Sequence, residues 1–268
     1  MSLWAKSKKV PNRYSLFCSG VLLSSQYIAT ASHCLQQCGK LDRSVDRCTK
    51  RRRPNQVLVL FGEGIQGGKI TKSPKEMKEL GFLPIESFTA HGEFKWHEEY
   101  YFKYDIGLIK LKIPLSHLDD KTIPVIDDKQ LQELNPSSIA GFYTLGYGVE
   151  ENLSTGKKLG RGILHSQYFN IQKSSERFSY EVIEQNHELV LTDYLQKKVV
   201  CKGDSGGPVF LKLKNNKYFL MGVNTDSDSL FYPGKTPDYT FKGKCGNPAK
   251  SIVLPFVQEW INSKLPNL

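Results

Sequence analysis

Three short segments, far apart in the chain, carry residue types able to do chemistry. His33 follows an apolar stretch in Thr30-Ala31-Ser32-His33-Cys34. An imidazole past a strand end can face a cleft and exchange protons near neutral pH. The same residue also fits a hydrogen-bonded structural histidine. Asp105 opens Asp105-Ile106-Gly107-Leu108-Ile109-Lys110-Leu111. A carboxylate there needs a partner if buried, and otherwise simply starts a strand at the surface. Ser205 lies in Gly203-Asp204-Ser205-Gly206-Gly207-Pro208, inside the apolar run VVCKGDSGGPVF. Such glycines let the backbone approach a bound group and aim N–H donors at it. The segment therefore reads either as a cradle holding a nucleophile or as a tight turn between strands.

The elements that must position these residues are mostly strands. Residues 27–32, 57–61, 105–113 and 142–149 are rich in β-branched and aromatic side chains and are bounded by turn formers. Residues 208–223 read as a hairpin around Lys214-Asn215-Asn216-Lys217, where Asn tolerates a left-handed turn. Helical periodicity is clear only in 255–265, where Phe256, Val257, Trp260 and Ile261 share a face. Many short strands and one terminal helix predict an all-β fold. At 268 residues, two packed six-stranded antiparallel β-barrels with a C-terminal α-helix use the length well. The polar stretch 116–129, punctuated by Pro124, puts the boundary near residue 122. His33 and Asp105 then belong to an N-terminal barrel over 1–122. Ser205 belongs to a C-terminal barrel over 123–268.

Composition narrows the function classes. Hydrophobic content of 39% and charged content of 24% describe a globular protein. The longest apolar runs are strand-sized, so no membrane span is expected. No signal segment is visible, because Met1-Ser2-Leu3 leads directly into the polar WAKSKK. The net charge of +10, from 37 Lys and Arg against 27 Asp and Glu, invites a nucleic-acid reading. Lys50-Arg51-Arg52-Arg53 is the only dense basic run, and no stacking platform accompanies it. No nucleic-acid partner is therefore expected, and the 50–53 run is the one place for an anionic partner. The six cysteines, Cys18, Cys34, Cys38, Cys48, Cys201 and Cys245, lack the CxxC pairs that close a zinc site. No metal is expected. Disulfides fit better and imply an oxidising, secreted or periplasmic setting, although the count alone leaves their pairing open.

In this order, His33 in TASHC, Asp105 in DIGLIKL and Ser205 in GDSGGP resemble the chymotrypsin/trypsin-like serine peptidases. Cys18 and Cys34, sixteen residues apart, and Leu145-Gly146-Tyr147-Gly148 add to the resemblance, which covers nearly the whole chain. It implies an endopeptidase that cuts protein or peptide substrates through an acyl-enzyme, without a cofactor. Ser205 would attack, His33 would move the proton and Asp105 would orient His33, with the N–H groups of Gly203 and Ser205 as oxyanion hole. It also implies the disulfides Cys18–Cys34 and Cys201–Cys245. Cys38–Cys48 is left by elimination, in a His33-to-Asp105 interval of 72 residues that is long for the family.

The resemblance further implies a specificity pocket lined by Val199, Val200, Lys202, Thr225, Asp226 and Ser227. Val199 stands where tryptic members carry an acid, so an apolar or small P1 residue is expected. Asn224 or Thr225 could instead read a polar one. In the family the acid matching Asp204 pairs with a new N-terminal ammonium, yet no Ile-Val-Gly-Gly-like start precedes Cys18. Either the chain is truncated, or another cation or hydrogen-bond network must hold Asp204. A second functional reading stays open: a non-catalytic binding protein on the same scaffold, engaging anionic partners.

Overall fold

The structure, a computed structural model, describes residues 1–37, 50–51, 53–96, 102–152, 157–171, 178–183, 187–193, 200–227, 245–246 and 249–265. Cys38, Cys48, Arg52 and Val199 lie outside the described residues. Of Lys50, Arg51, Asp226, Ser227 and Cys245 the backbone alone is described.

The N-terminal half forms one curled antiparallel sheet. Its strands are β1 (Ser2–Lys6), β2 (Arg13–Ser19), β3 (Val21–Leu22), β4 (Tyr27–Thr30), β5 (Val57–Leu60), β6 (Lys69–Thr71), β7 (Leu83–Ala90) and β8 (Gly107–Leu111). They are hydrogen-bonded in the order β3-β4-β8-β7-β5-β1-β2-β6. Only Gly20 separates β2 from β3, so this bent run brings the two ends of the order together. The closed circuit has six staves, with β6 added outside it along Arg13–Ser15. The core inside holds Leu3, Ile28, Leu35, Val57, Val59, Ile109 and Leu111.

The C-terminal half is a second antiparallel sheet of β9 (Ile139–Gly146), β10 (His165–Phe169), β11 (Phe178–Ile183), β12 (Glu188–Asp193), β13 (Pro208–Leu213), β14 (Tyr218–Ser227) and β15 (Ala249–Val253). The order is β10-β9-β13-β14-β15-β12-β11. Six strands match the expected barrel, and β11 is an added edge strand paired only with β12 among the described residues. Phe142, Phe169, Leu189, Leu191, Val209 and Leu211 fill its interior. Truncating the fully buried Phe142 should cost about 3–5 kcal/mol, because the surrounding strands cannot collapse onto the cavity. Denaturant unfolding of Phe142→Ala measures this loss.

A third core joins the two halves and explains why buried apolar residues of 106–111 face in both directions. Ile109 and Leu111 point into the first barrel. Ile106 and Leu108 point the other way, with Val21 and Ala29, onto Leu220, Val223, Ile252 and Leu254. The C-terminal segment covers this seam: a 3-10 turn over Pro255–Val257 precedes α4 (Gln258–Lys264), and Val257, Ile261 and Leu265 are buried there. The expected helix over 255–265 thus begins three residues late.

Three further short helices were not anticipated. They are α1 (Ser32–Leu35), α2 (Pro74–Glu79) and α3 (Asp128–Gln132). All are shorter than the two turns that an amphipathic pattern needs to stand out. In α2 the signal was a cap rather than a period: Ser73 and Glu76 form a reciprocal capping box.

Candidate active site

The end of β4 and the start of β8 are neighbouring strands, with Thr30 opposite Gly107. This pairing brings the residues that follow one strand against those that precede the other. His33, in the single turn α1, therefore meets Asp105. The fully buried Asp105 carboxylate accepts twice from His33: Oδ1 from the backbone N–H at 2.8 Å, and Oδ2 from Nδ1 at 2.6 Å. A buried carboxylate requires such partners. The surface-strand reading of Asp105 is thereby overturned. Ser32 anchors the turn from the other side, donating its hydroxyl to the Ile106 carbonyl at 2.5 Å and accepting from the His91 N–H at 3.2 Å.

Nδ1 of His33 is thus committed to Asp105, and Nε2 is the other ring nitrogen. The imidazole is about one-fifth exposed. Nε2 lies 3.8 Å from Cys34 Sγ, which in turn lies 3.8 Å from the Ser205 carbonyl oxygen. The first barrel's histidine and the second barrel's serine loop thus share one corner of the molecule.

Ser19, which the sequence reading missed, fastens that corner. Its N–H donates to the Ser205 carbonyl at 2.8 Å, and its hydroxyl donates to the Gly203 carbonyl at 2.8 Å. The same hydroxyl accepts from the Tyr147 N–H at 3.1 Å. On the far side, the Gly206 N–H donates to the Asn224 carbonyl and the Asn224 N–H donates to the Gly207 carbonyl. The Gly203 and Ser205 carbonyls are therefore engaged, whereas their N–H groups carry no hydrogen bond among the described residues. Gly203 has φ of +110°, and a Cβ there would stand 2.9 Å from the Gly148 Cα. Only glycine fits this backbone. The segment is thus held through its carbonyls from both sides.

Asp204 is the other buried acid of the loop, 3% exposed. Its Oδ1 accepts from the Gly148 N–H at 2.8 Å and its Oδ2 from the Cys201 N–H at 2.8 Å. His165 Nε2, at the start of β10, stands 3.1 Å from Oδ1. These contacts are the cation or hydrogen-bond network that the family resemblance left to be identified. Nothing local marked His165, because its partner is 39 residues away and on another strand.

The implied pocket residues have varied settings. Val200 is buried in the second core, whereas Lys202 is exposed. Thr225 is buried, and its hydroxyl donates to the Lys250 carbonyl at 3.2 Å. Asp226 and Ser227 continue β14 opposite Lys250 and Ala249. Cys18 and Cys34 form a disulfide. Cys201 is also disulfide-bonded, and Cys245 is its backbone partner in a two-residue ladder. Cys18, Cys34 and His33 cluster closely enough to suggest a metal site, but both sulfurs are consumed by the disulfide and offer no thiolate. The basic run begins beside the site: Lys50 and Arg51 pair with Gln37 and Gln36, just after α1.

Tyr147 ties the loop region to the first barrel, its phenol donating to the Gly62 carbonyl at 2.5 Å. Burial pushes this phenol up to about 12, because the phenolate is poorly solvated there. In the unfolded chain it ionises near 10. The unfolded state thus loses the proton first, and stability falls as pH rises from about 10 to about 12. Urea unfolding across this range should show a shallower alkaline loss for Tyr147→Phe than for the native chain.

Two curled antiparallel sheets packed on a shared seam, with a His–Asp pair on one and a glycine-bounded serine on the other, define a double-barrel serine-protease scaffold. The chain belongs to the Trypsin family, whose sequence model matches residues 3–239. It is also similar to Ovochymase of Halocynthia roretzi, at 24% identity over 241 residues. That alignment covers 86% of this chain and 13% of the relative.

Proposed function

We propose that the protein is a secreted serine endopeptidase that hydrolyses peptide bonds through an acyl-enzyme on Ser205. The observation that carries this reading is the double hydrogen bond from His33 to the buried Asp105, which leaves Nε2 on the side of the Ser205 loop. Ser205 Oγ attacks the scissile carbonyl as His33 Nε2 takes its proton. The imidazolium so formed is stabilised by Asp105 and returns the proton to the leaving amine. Water then repeats the sequence on the acyl-enzyme and releases the acid product. The N–H groups of Gly203 and Ser205 receive the charge that develops on the carbonyl oxygen, each worth about 2.7–4 kcal/mol of transition-state stabilisation.

Secretion is supported by the disulfides at Cys18–Cys34 and Cys201, which persist in oxidising compartments. No helix among the described residues is long and apolar enough to cross a membrane. The family resemblance assigns the substrate pocket to Val199, Val200, Lys202, Thr225, Asp226 and Ser227. Valine at the position where tryptic relatives carry an acid would offer no charge to a Lys or Arg side chain, so apolar or small P1 residues are preferred. Digestion of a denatured protein library, with the cleavage sites read by mass spectrometry, tests this. Cuts after apolar or small residues that disappear with Ser205→Ala are expected. Digestion only after Lys and Arg would overturn the preference, and no Ser205-dependent cut would favour a binding protein.

A further inference from the structure

We propose that His165 is a positioning residue that holds the loop bearing Ser205 in its working conformation by acting as the counter-ion of Asp204. This rests on the catalytic reading of Ser205 and goes beyond it. Asp204 lies between Gly203 and Ser205, the residues whose N–H groups form the proposed oxyanion hole, so the direction of its side chain fixes the peptide planes on both sides. That side chain is 4% exposed. A carboxylate so deeply buried is stable only when charge-compensated and hydrogen-bonded. The Gly148 and Cys201 N–H groups supply two neutral donors at 2.8 Å. His165 Nε2, at 3.1 Å, is the one side chain ion-paired with Asp204 among the described residues, and itself is only 16% exposed.

The surroundings are shaped for this arrangement. A Cβ on Gly148 would intrude to 2.6 Å from Asp204 Oδ1, so glycine there opens the space that the carboxylate occupies. His165 is placed opposite Gly146 by the pairing of β9 with β10, which aims its ring at the same space. Asp204 thus completes its shell within the fold. Among the described residues, His165 stands beside Asp204 where the family resemblance leads one to expect an amino-terminal ammonium group.

The test measures the rate constant and the endpoint of fluorophosphonate labelling for the native chain, His165→Leu and His165→Gln. Ser205→Ala is the control. Leucine removes the donor, whereas glutamine returns an amide N–H near the Nε2 position. The labelling rate constant should fall about 100-fold in His165→Leu, the scale of losing one oxyanion donor, with a full endpoint. His165→Gln should recover at least about a tenth of the native rate, since one neutral donor replaces a charge-assisted one. A merely structural role would lower the endpoint through misfolding and leave the rate constant of the folded fraction unchanged.

An unchanged rate in His165→Leu overturns the proposal. So does a faster rate, which would make the contact a restraint, and so does no recovery by glutamine. If the native chain itself fails to label, the catalytic reading fails, and the lock is then judged by hydrogen exchange. Loss of His165 should speed exchange of the Gly148 and Cys201 amides at least about tenfold, the equivalent of one charge-assisted hydrogen bond. Unchanged exchange overturns the lock in that case as well.

Discussion

Ser205→Ala should lower kcat by a factor on the order of 10⁶ while leaving the folded state intact. The expected size follows from how a nucleophile, its base and an orienting acid work as one unit: without the attacking oxygen, the remaining groups have no covalent step to assist. What survives is the smaller contribution of substrate binding and of the backbone donors at Gly203 and Ser205. The fold should tolerate the change because the loop is held by its backbone. Ser19 binds the Ser205 carbonyl, and Gly206 and Gly207 pair with Asn224. None of these bonds involves the Ser205 hydroxyl. Steady-state kinetics on the best library-derived peptide, together with a thermal melt, checks both halves of the prediction. A substantial loss of melting temperature would place Ser205 in the scaffold instead.

Asp105→Asn should lower kcat by roughly 10⁴ near neutral pH, the general scale for corrupting the orienting acid of such a unit. The structure supplies the reason. Oδ1 of Asp105 accepts the His33 backbone N–H, and Oδ2 accepts Nδ1. An asparagine must keep its carbonyl oxygen against the backbone N–H, so its amide NH₂ faces Nδ1. That group can only donate, which forces the imidazole proton onto Nε2. A histidine protonated at Nε2 cannot accept the Ser205 proton. The double variant Asp105→Asn with Ser205→Ala should be no slower than Ser205→Ala alone, since the two changes disable the same step. Additive losses would mean that Asp105 acts independently of the serine.

Chemistry in this chain was more legible than its support. The Ser205 loop stood out because it interrupts an apolar run with glycines, an acid and a serine, whereas His33 and Asp105 each fitted a structural role until the family resemblance joined the three segments. The strands around them were legible from β-branched and aromatic content between turn formers, and the apolar residues of 106–111 face two cores. The boundaries of α1 and α2 were not, since four to six residues carry too little periodicity. Ser19 and His165 escaped for a different reason. Serine and histidine are unremarkable on such strands, and their importance comes from partners brought close only by the packing of the two halves for Ser19 and by the pairing of β9 with β10 for His165. The family resemblance implied that Asp204 is buried and requires compensation, since a buried unpaired charge is costly. Which residue met that requirement is a property of the register.

The central claim, that Ser205 is a nucleophile activated by His33 and Asp105, is tested most directly by mass spectrometry of the folded native chain after fluorophosphonate treatment. A single adduct mapped to Ser205, absent from Ser205→Ala and strongly slowed in Asp105→Asn, is the predicted result. A folded native chain that takes no adduct, or one that takes it elsewhere than Ser205, would contradict the account.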